Sequence, residues 1–293
     1  MKLDYVSRIS NGLQRYKTIA TNKATSRVLD GSYNSIYKGR SMNFDELREY
    51  VPGDDIKDID WKATSRSQKV LVRQYIAEKK HNIMLVMDTN KRMLAQTADG
   101  EEKRDVALIA GGSLAYMVNR NGDYVSAIFP ESVSMRHFPF KMGLLNIENI
   151  LSNYHKSVDM KNNSDLVAAL QYLIRNIRRR MIIVIVTDLQ GMRRIPDSVL
   201  RQLILVHDVL MINISDTNIY GKKVYSINRE TYIPPFISES RKLRRLEEKK
   251  KKEIFEECDN KLKRHGIAMA TVGSVDRIDN SLIELLEKHK LNK

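Results

Sequence analysis

The 293-residue sequence contains only one cysteine, Cys258, and only one tryptophan, Trp61. A single cysteine excludes an intramolecular disulfide and cannot supply the paired spacing of a zinc site. No stretch reaches the run of about 18 apolar residues that marks a membrane-spanning helix, and the first residues lack the apolar core of a signal peptide. We therefore expect a cytoplasmic protein without a transmembrane segment.

The sequence also lacks the local patterns of common catalytic sites. It has no Gly-x-x-x-x-Gly-Lys-Ser/Thr loop, so we expect no ATP hydrolysis by this chain alone. The six histidines are scattered, and none belongs to a His-Glu-x-x-His or Cys/His cluster. Residues 111–113, Gly-Gly-Ser, fall within a helical pattern and not in the strand–turn–helix context of a nucleophile elbow. These absences predict a protein that is not an enzyme.

The charge balance is strongly basic, with 50 lysines and arginines against 36 aspartates and glutamates, and a formal net charge of +14. Such an excess favours nucleic acid, an anionic surface or an acidic protein as partner, although it also serves solubility alone. Many cations lie in residues 238–264, where glutamates that can pair at i, i+4 flank the run Lys249–Lys252. Binding of nucleic acid or of an anionic surface is therefore our alternative functional hypothesis.

Short, nearly continuous apolar runs dominate the second part of the chain, and each is separated from the next by one or more helical patterns. Such runs are typical of strands buried on both faces of a parallel sheet, and they occupy residues 82–88, 181–186, 209–214 and 267–272. Strands that alternate with helices predict an α/β fold, a doubly wound and mostly parallel sheet with Rossmann-type layers. We expect this domain to span residues 81–293, after an N-terminal extension of residues 1–80.

Residues 39–66 crowd charged side chains around the dipeptide Pro52-Gly53. Proline presets the first corner of a turn, and glycine accepts the positive φ that a type II turn requires next. We expect Asp54 and Asp55 to cap the helical turn that follows, and Trp61 to be buried on its apolar side. The aspartates of this stretch do not have the spacing of an EF-hand calcium loop, which favours ion pairs with arginine over a metal site.

The same stretch resembles the signature of the prokaryotic family known as domain of unknown function 58. The residues that carry the resemblance are Arg48, Pro52, Gly53, Asp54, Asp55, Asp60, Trp61 and Arg66. The resemblance implies a von Willebrand factor A-like domain, often encoded beside a MoxR-type AAA+ ATPase. It therefore implies a protein-interaction or adaptor protein that works with such an ATPase or with the client protein of that ATPase.

The resemblance also implies a divalent-cation site at the carboxyl ends of the strands, where open α/β sheets bind ligands. The family loop Asp-x-Ser-x-Ser reads here Asp88-Thr89-Asn90-Lys91-Arg92, and the later loops offer Ser164 and Asp188. The candidate Mg²⁺ ligands are thus Asp88, Asn90, Ser164 and Asp188. Arg92 cannot ligate a cation, and its permanent charge can pair with either aspartate. This substitution favours a degenerate site in which Arg92 is the counter-charge and no cofactor binds.

Overall fold

The computed structural model of the protein describes residues 4–15, 46–54, 56–67, 69–74, 80–132, 134–217, 220 and 224–291. The chain divides into two compact units, Tyr33–Lys80 and a larger unit formed by Met1–Ser32 with His81–Lys293. One boundary between the units lies between Lys80 and His81, and the first residues group with the larger unit.

The first helix, α1 (Asp4–Arg15), belongs to the larger unit, and Glu148 of that unit bonds to its N-terminus. The carboxylate of Glu148 is buried and accepts hydrogen bonds from the backbone nitrogens of Tyr5 (3.0 Å) and Val6 (2.8 Å). A carboxylate at a helix N-terminus satisfies free N–H groups and complements the positive end of the helix dipole.

The smaller unit is built around a two-stranded antiparallel sheet of β1 (Glu46–Glu49) and β2 (Leu71–Gln74). Between the strands lie a 3-10 turn (Ile56–Asp58) and helix α2 (Trp61–Ser67). The backbone nitrogen of Asp54 donates to the carbonyl oxygen of Val51 at 3.1 Å, and Gly53 has a φ of 113°. The Pro52-Gly53 pair therefore forms the turn with positive φ that the sequence predicted.

The aspartates of the signature bond to the local backbone. Oδ2 of Asp54 accepts from the nitrogen of Val51 at 2.9 Å. Oδ1 of Asp60 accepts from the nitrogens of Lys62 and Ala63, both at 3.0 Å, so that Asp60 caps α2. Asp60 thus caps helix α2, which begins at the next residue, whereas Asp54 bonds within the preceding turn. Asp55 and the side chain of Arg48 lie outside the described residues.

The expected burial of Trp61 is wrong. The Trp61 side chain is 64% exposed and that of Ile56 is 66% exposed. Helix α2 has only seven residues and none of them is buried, since the partly buried positions belong to the small side chains of Ala63 and Thr64. Arg66 is also exposed.

The larger unit contains a six-stranded sheet in the order β10-β7-β6-β3-β4-β5. Its strands are β3 (Asn82–Met87), β4 (Tyr124–Pro130), β5 (Met135–Lys141), β6 (Ile182–Asp188), β7 (Asp208–Ile214) and β10 (Ala268–Val272). All neighbouring pairs are parallel except β4 and β5. Every residue of β3 and β6 is buried, as apolar runs covered on both faces require.

Helices cover both faces of this sheet. One layer contains α1, α3 (Lys103–Arg120), α4 (Leu144–Ser157) and α10 (Ile278–Leu291). The other contains α5 (Leu166–Asn176), α6 (Leu189–Arg194), α7 (Asp197–Ile204) and α9 (Arg241–Arg264). The doubly wound, mostly parallel α/β fold that the sequence predicted is therefore confirmed.

Three details complete the fold. The region after β6 forms two short helices, α6 and α7. Before α9 the chain forms a small hairpin of β8 (Tyr225–Ser226) and β9 (Thr231–Tyr232), followed by the short helix α8 (Pro235–Ser238). Asp165 caps α5, since its side chain accepts from the nitrogen of Val167. Within the described ranges, no helix combines the length and apolar character needed to cross a membrane.

Candidate functional site

The sheet reverses its strand order between β3 and β6, and two aspartates lie at that point. Asp88 directly follows β3 and Asp188 is the last residue of β6. The neighbouring strands are parallel, so both residues lie at the carboxyl edge, which is where open α/β sheets bind their ligands. Both carboxylates are buried, with relative exposures of 0% for Asp88 and 1% for Asp188.

The guanidinium of Arg92 contacts both aspartates. Nη2 of Arg92 donates to Oδ2 of Asp88 at 2.9 Å, and Nε lies 3.3 Å from Oδ2 of Asp188. Arg92 itself is buried, and it belongs to a 3-10 turn (Lys91–Leu94) that directly follows the loop after β3. The positive charge therefore lies within hydrogen-bonding distance of the two carboxylates.

A second buried cation, Lys103, completes the network from the start of α3. Its Nζ donates to Oδ2 of Asp188 at 3.1 Å and also bonds to Oδ1 of Asp216, which follows β7. Lys103 is 3% exposed. Three carboxylates and two cations thus form one connected cluster, the sheet-edge cluster, consisting of Asp88, Arg92, Lys103, Asp188 and Asp216.

The pKa values of the cluster follow from burial and from pairing. Burial acts to raise the pKa of Asp188, but Lys103 and Arg92 outweigh it and lower that pKa to about 2. For Asp88 and Asp216, burial dominates over the nearby cations, and the pKa of each is raised. Burial lowers the pKa of Lys103 less than Asp188 and Asp216 raise it, so its net shift is upward. Lys103 is therefore charged at neutral pH, and Asp188 is its ionised partner.

Neutral groups fix Asp88 in place. Oγ1 of Thr187 donates to Oδ2 of Asp88 at 2.7 Å, and the nitrogen of Asn90 donates to Oδ1 at 2.9 Å. The hydroxyl of the buried Tyr154 donates to the backbone oxygen of Asp88 at 3.1 Å. A Cβ atom at Gly191 would meet the Thr187 hydroxyl and would lie 2.7 Å from Oδ2 of Asp88. Only glycine leaves room here for helix α6 to approach the carboxylate.

The other candidate ligands are turned to different partners. Oδ1 of Asn90 accepts from the nitrogen of Arg92 at 3.1 Å, and Nδ2 of Asn90 donates to the backbone oxygen of Ser164 at 2.9 Å. Oγ of Ser164 lies 3.2 Å from Oγ1 of Thr89. Asn90 and Ser164 therefore hold the first two loops together, while Asp88 and Asp188 bind Arg92. Within the part of the chain that the structure describes, no three His, Cys, Asp or Glu side chains form a metal-ligand set.

The hairpin after β7 is tied to the same edge of the sheet. Nζ of Lys91 forms an ion pair of 2.8 Å with Oε1 of Glu230. Glu230 adopts a φ of 53°, a left-handed conformation that residues other than glycine seldom occupy. Such a conformation is maintained by surrounding contacts, and the ion pair with Lys91 is one of them.

Sequence reasoning placed Asp88, Asp188 and Arg92 at the sheet edge but missed Lys103 and Asp216. Asp216 carries the same signal as Asp88 and Asp188, because it follows the buried strand β7 by two residues. Lys103 offers no such signal, since a lysine at the start of a helix is indistinguishable in sequence from one that faces solvent.

Solved structures with a similar arrangement of the chain come from several bacteria. BatB from Bacteroides thetaiotaomicron is 14% identical with a TM-score of 0.46, and 71% of this chain and 98% of that protein are covered. An aerotolerance-related membrane protein from Bacteroides fragilis is 15% identical with a TM-score of 0.43, and 71% of this chain and 99% of that protein are covered. A von Willebrand factor type A protein from Catenulispora acidiphila is 9% identical with a TM-score of 0.37, and 73% of this chain and 43% of that protein are covered.

Curated relatives by sequence include the uncharacterized proteins Rv1480 of Mycobacterium tuberculosis and Mb1516 of Mycobacterium bovis. Each is 29% identical over 194 residues, which are 64% of this chain and 60% of the relative. The chain thus spans about 60% of the length of these relatives. The sequence profile of the family described as "Protein of unknown function DUF58" matches residues 46–219. Because this match covers more than half of the 293 residues, the chain belongs to the DUF58 family.

Proposed function

We propose that this protein is a non-enzymatic interaction or adaptor protein whose sheet-edge site works without a bound metal ion. The observation that supports the proposal is the position of the Arg92 guanidinium between Asp88 and Asp188. A Mg²⁺ ion on these two carboxylates would have to displace a buried guanidinium and leave it unpaired. Separating a buried ion pair in this way costs about 3–5 kcal/mol. In this proposal the site is a degenerate form of a cation site, with Arg92 as the permanent counter-charge.

The proposed partner is a MoxR-type AAA+ ATPase or its client protein, as the resemblance of the signature implies. The smaller unit offers a surface suited to such a partner. Val51, Ile56 and Trp61 are 56%, 66% and 64% exposed, and Arg66 of the same helix as Trp61 is exposed as well. Tryptophan and arginine are the residue types most enriched at the energetic centres of protein interfaces.

Co-purification from the native cell tests this proposal. We expect a tagged chain to retain a AAA+ ATPase, identified by mass spectrometry, to the same extent in Mg²⁺ and in EDTA. The variant Trp61→Ala is expected to lose this ATPase, whereas Leu205→Ala, which truncates a 78% exposed side chain of the larger unit, is expected to keep it. If the chain must bind Mg²⁺ itself in order to retain the ATPase, the proposal of a metal-free site is contradicted. If all variants retain the ATPase equally, the assignment of the Trp61 surface is contradicted.

Binding of nucleic acid or of an anionic surface is the second candidate function, favoured by the cations of α9. Arg241, Lys242, Arg245 and Lys250 are exposed along this helix. Other cations of the helix already pair at i, i+4, as in Arg244–Glu248 (3.1 Å) and Lys263–Asp259 (2.6 Å). Counterion release makes phosphate binding steeply salt-dependent, so retention on DNA at increasing salt separates the two functions. Since we propose an interaction protein, we expect DNA to retain this chain only at low salt.

A further inference from the structure

A cleft of about 530 Å³ opens at the carboxyl edge of the sheet, beside the sheet-edge cluster and under helix α9. Six cationic side chains line it, against the three carboxylates of Asp188, Asp216 and Glu247. The cations are Arg92, Lys103, Arg193, Arg194, Lys250 and Lys251. Its volume lies within the range of about 300–1,000 Å³ that is usual for ligand-binding sites.

The cations differ in what they already bind. Arg92 and Lys103 are buried and paired with the aspartates of the cluster. Nζ of Lys251 donates to the backbone oxygens of Asp216 (2.6 Å) and Thr217 (3.3 Å). These three cations therefore have partners within the protein itself.

Of the six cations, Arg193, Arg194 and Lys250 are exposed. Among the residues that the structure describes, none offers these three side chains a carboxylate within ion-pairing distance. They come from two elements, α6 and α9, which pack against each other. The cleft thus carries a positive charge that an anionic ligand can neutralise from two sides.

The rest of the lining is partly apolar. Leu189, Ile227 and Ile254 contribute from α6, the β8–β9 hairpin and α9. A phosphate ion would satisfy the cations and leave this apolar surface in contact with water. A nucleic acid strand would pair its phosphates with the cations, but the described residues that line the cleft include no aromatic side chain on which its bases could stack. A peptide that alternates acidic and apolar side chains can occupy both parts of the lining at once.

We infer that this cleft binds an acidic peptide segment of a partner protein. The side-chain carboxylates of the segment bind Arg193, Arg194 and Lys250, and its apolar side chains contact Leu189, Ile227 and Ile254. Arginine suits this role because its planar guanidinium binds a carboxylate through two parallel hydrogen bonds. The inference rests on the proposed interaction function and names the chemistry of one partner segment.

Fluorescence anisotropy with a labelled peptide, Glu-Leu-Asp-Glu-Leu-Asp, tests the inference directly. We expect the 293-residue chain to bind this peptide and not the analogue Gln-Leu-Asn-Gln-Leu-Asn, whose side chains are uncharged. The double variant Arg193→Glu/Arg194→Glu and the single variant Lys250→Glu should each weaken binding by about tenfold or more, as loss of charged hydrogen bonds does. The control Arg241→Glu/Lys242→Glu changes the net charge as much as the double cleft variant does, on an exposed part of α9 outside the cleft, and should weaken binding less than twofold.

Three outcomes would overturn the inference. Equal losses in the cleft variants and in the control would mean that only the net charge matters. Equal displacement of the peptide by inorganic pyrophosphate and by unlabelled peptide would show that the site recognises phosphate and not a peptide. No binding by the wild-type protein would exclude the cleft as an acidic-peptide site.

The ATPase co-purification experiment separates these failures from failure of the proposed function. If the peptide does not bind while the ATPase is still retained, the adaptor function stands and the cleft is not its contact site. If the peptide binds and the ATPase is not retained, the cleft serves another acidic partner, and the assignment of the ATPase is wrong.

Discussion

Nη2 of Arg92 donates a 2.9 Å hydrogen bond to Oδ2 of Asp88, and both side chains are buried. The two residues are four positions apart, so the loop that places a carboxylate at the end of β3 also supplies its counter-charge. An exposed ion pair contributes about 0–1 kcal/mol, whereas removing one member of a buried pair is far more costly. The free energy of unfolding should therefore respond strongly to substitutions that remove one charge of the sheet-edge cluster.

Metal ions should leave the wild-type protein unchanged. Because Arg92 already bonds to Asp88 and Asp188, we expect the same thermal midpoint in Mg²⁺, Mn²⁺ and EDTA. The double variant Asn90→Ser/Arg92→Ser removes the counter-charge and restores two hydroxyls, so it should gain stability from Mg²⁺. Ligand at a hundred times its dissociation constant adds about 2.7 kcal/mol. A wild-type protein stabilised by several degrees in Mg²⁺ would contradict the metal-free site.

Truncation of Lys103 should destabilise the protein strongly. Lys103→Met leaves Asp188 and Asp216 without this buried partner, and we expect a loss of about 3–5 kcal/mol in urea unfolding. The control Lys249→Met removes an exposed i, i+4 pair with Glu253, which should cost no more than about 0.5 kcal/mol. Equal effects of the two substitutions would mean that Lys103 does not stabilise the cluster.

Stability should fall in acid through Asp188. Its pKa is lowered from 3.8 to about 2 in the folded protein, so its contribution is complete above pH 4 and is lost as the pH falls from about 4 to 2. A shift of this size corresponds to roughly 2 kcal/mol. Asp88 and Asp216 act with the opposite sign, because their raised pKa values make protonation favour the folded state. We therefore expect Asp188→Asn to flatten, and Asp88→Asn to steepen, the acid limb of the stability curve.

A methyl group at Gly191 should disturb the site. Its Cβ would meet Thr187 and lie 2.7 Å from Oδ2 of Asp88, so we expect Gly191→Ala to cost about 1–3 kcal/mol, as overpacking does. Gly111→Ala is the matched control, because there the new Cβ meets only the flexible end of Met87, at 3.0 Å. Comparable urea midpoints for the two variants would show that α6 can move away from Asp88.

Trp61→Ala should leave stability nearly unchanged. The ring is 64% exposed, and surface substitutions usually change the free energy of unfolding by less than about 0.5 kcal/mol. The effect is expected in partner binding instead, as for an exposed aromatic at an interface. A urea midpoint lowered as for a core substitution would mean that the ring is covered in solution.

The local sequence determined the strands and the acids at their ends. The apolar runs that became β3, β6, β7 and β10 lie close to the expected residues, because a strand covered on both faces must be apolar throughout. The Pro52-Gly53 turn likewise follows from residue types alone, since glycine accepts its φ of 113°.

Only the tertiary structure decided which side chains meet and which remain exposed. Lys103 joins Asp188 and Asp216 across 85 and 113 residues of chain, a convergence that depends on the order of the strands and on the position of α3. Trp61 is exposed although Ile56 and Ile59 precede it in the sequence, because burial requires a covering element that no local pattern encodes. Strand identity is a local property of the chain, whereas charge pairing and burial are properties of the packed fold.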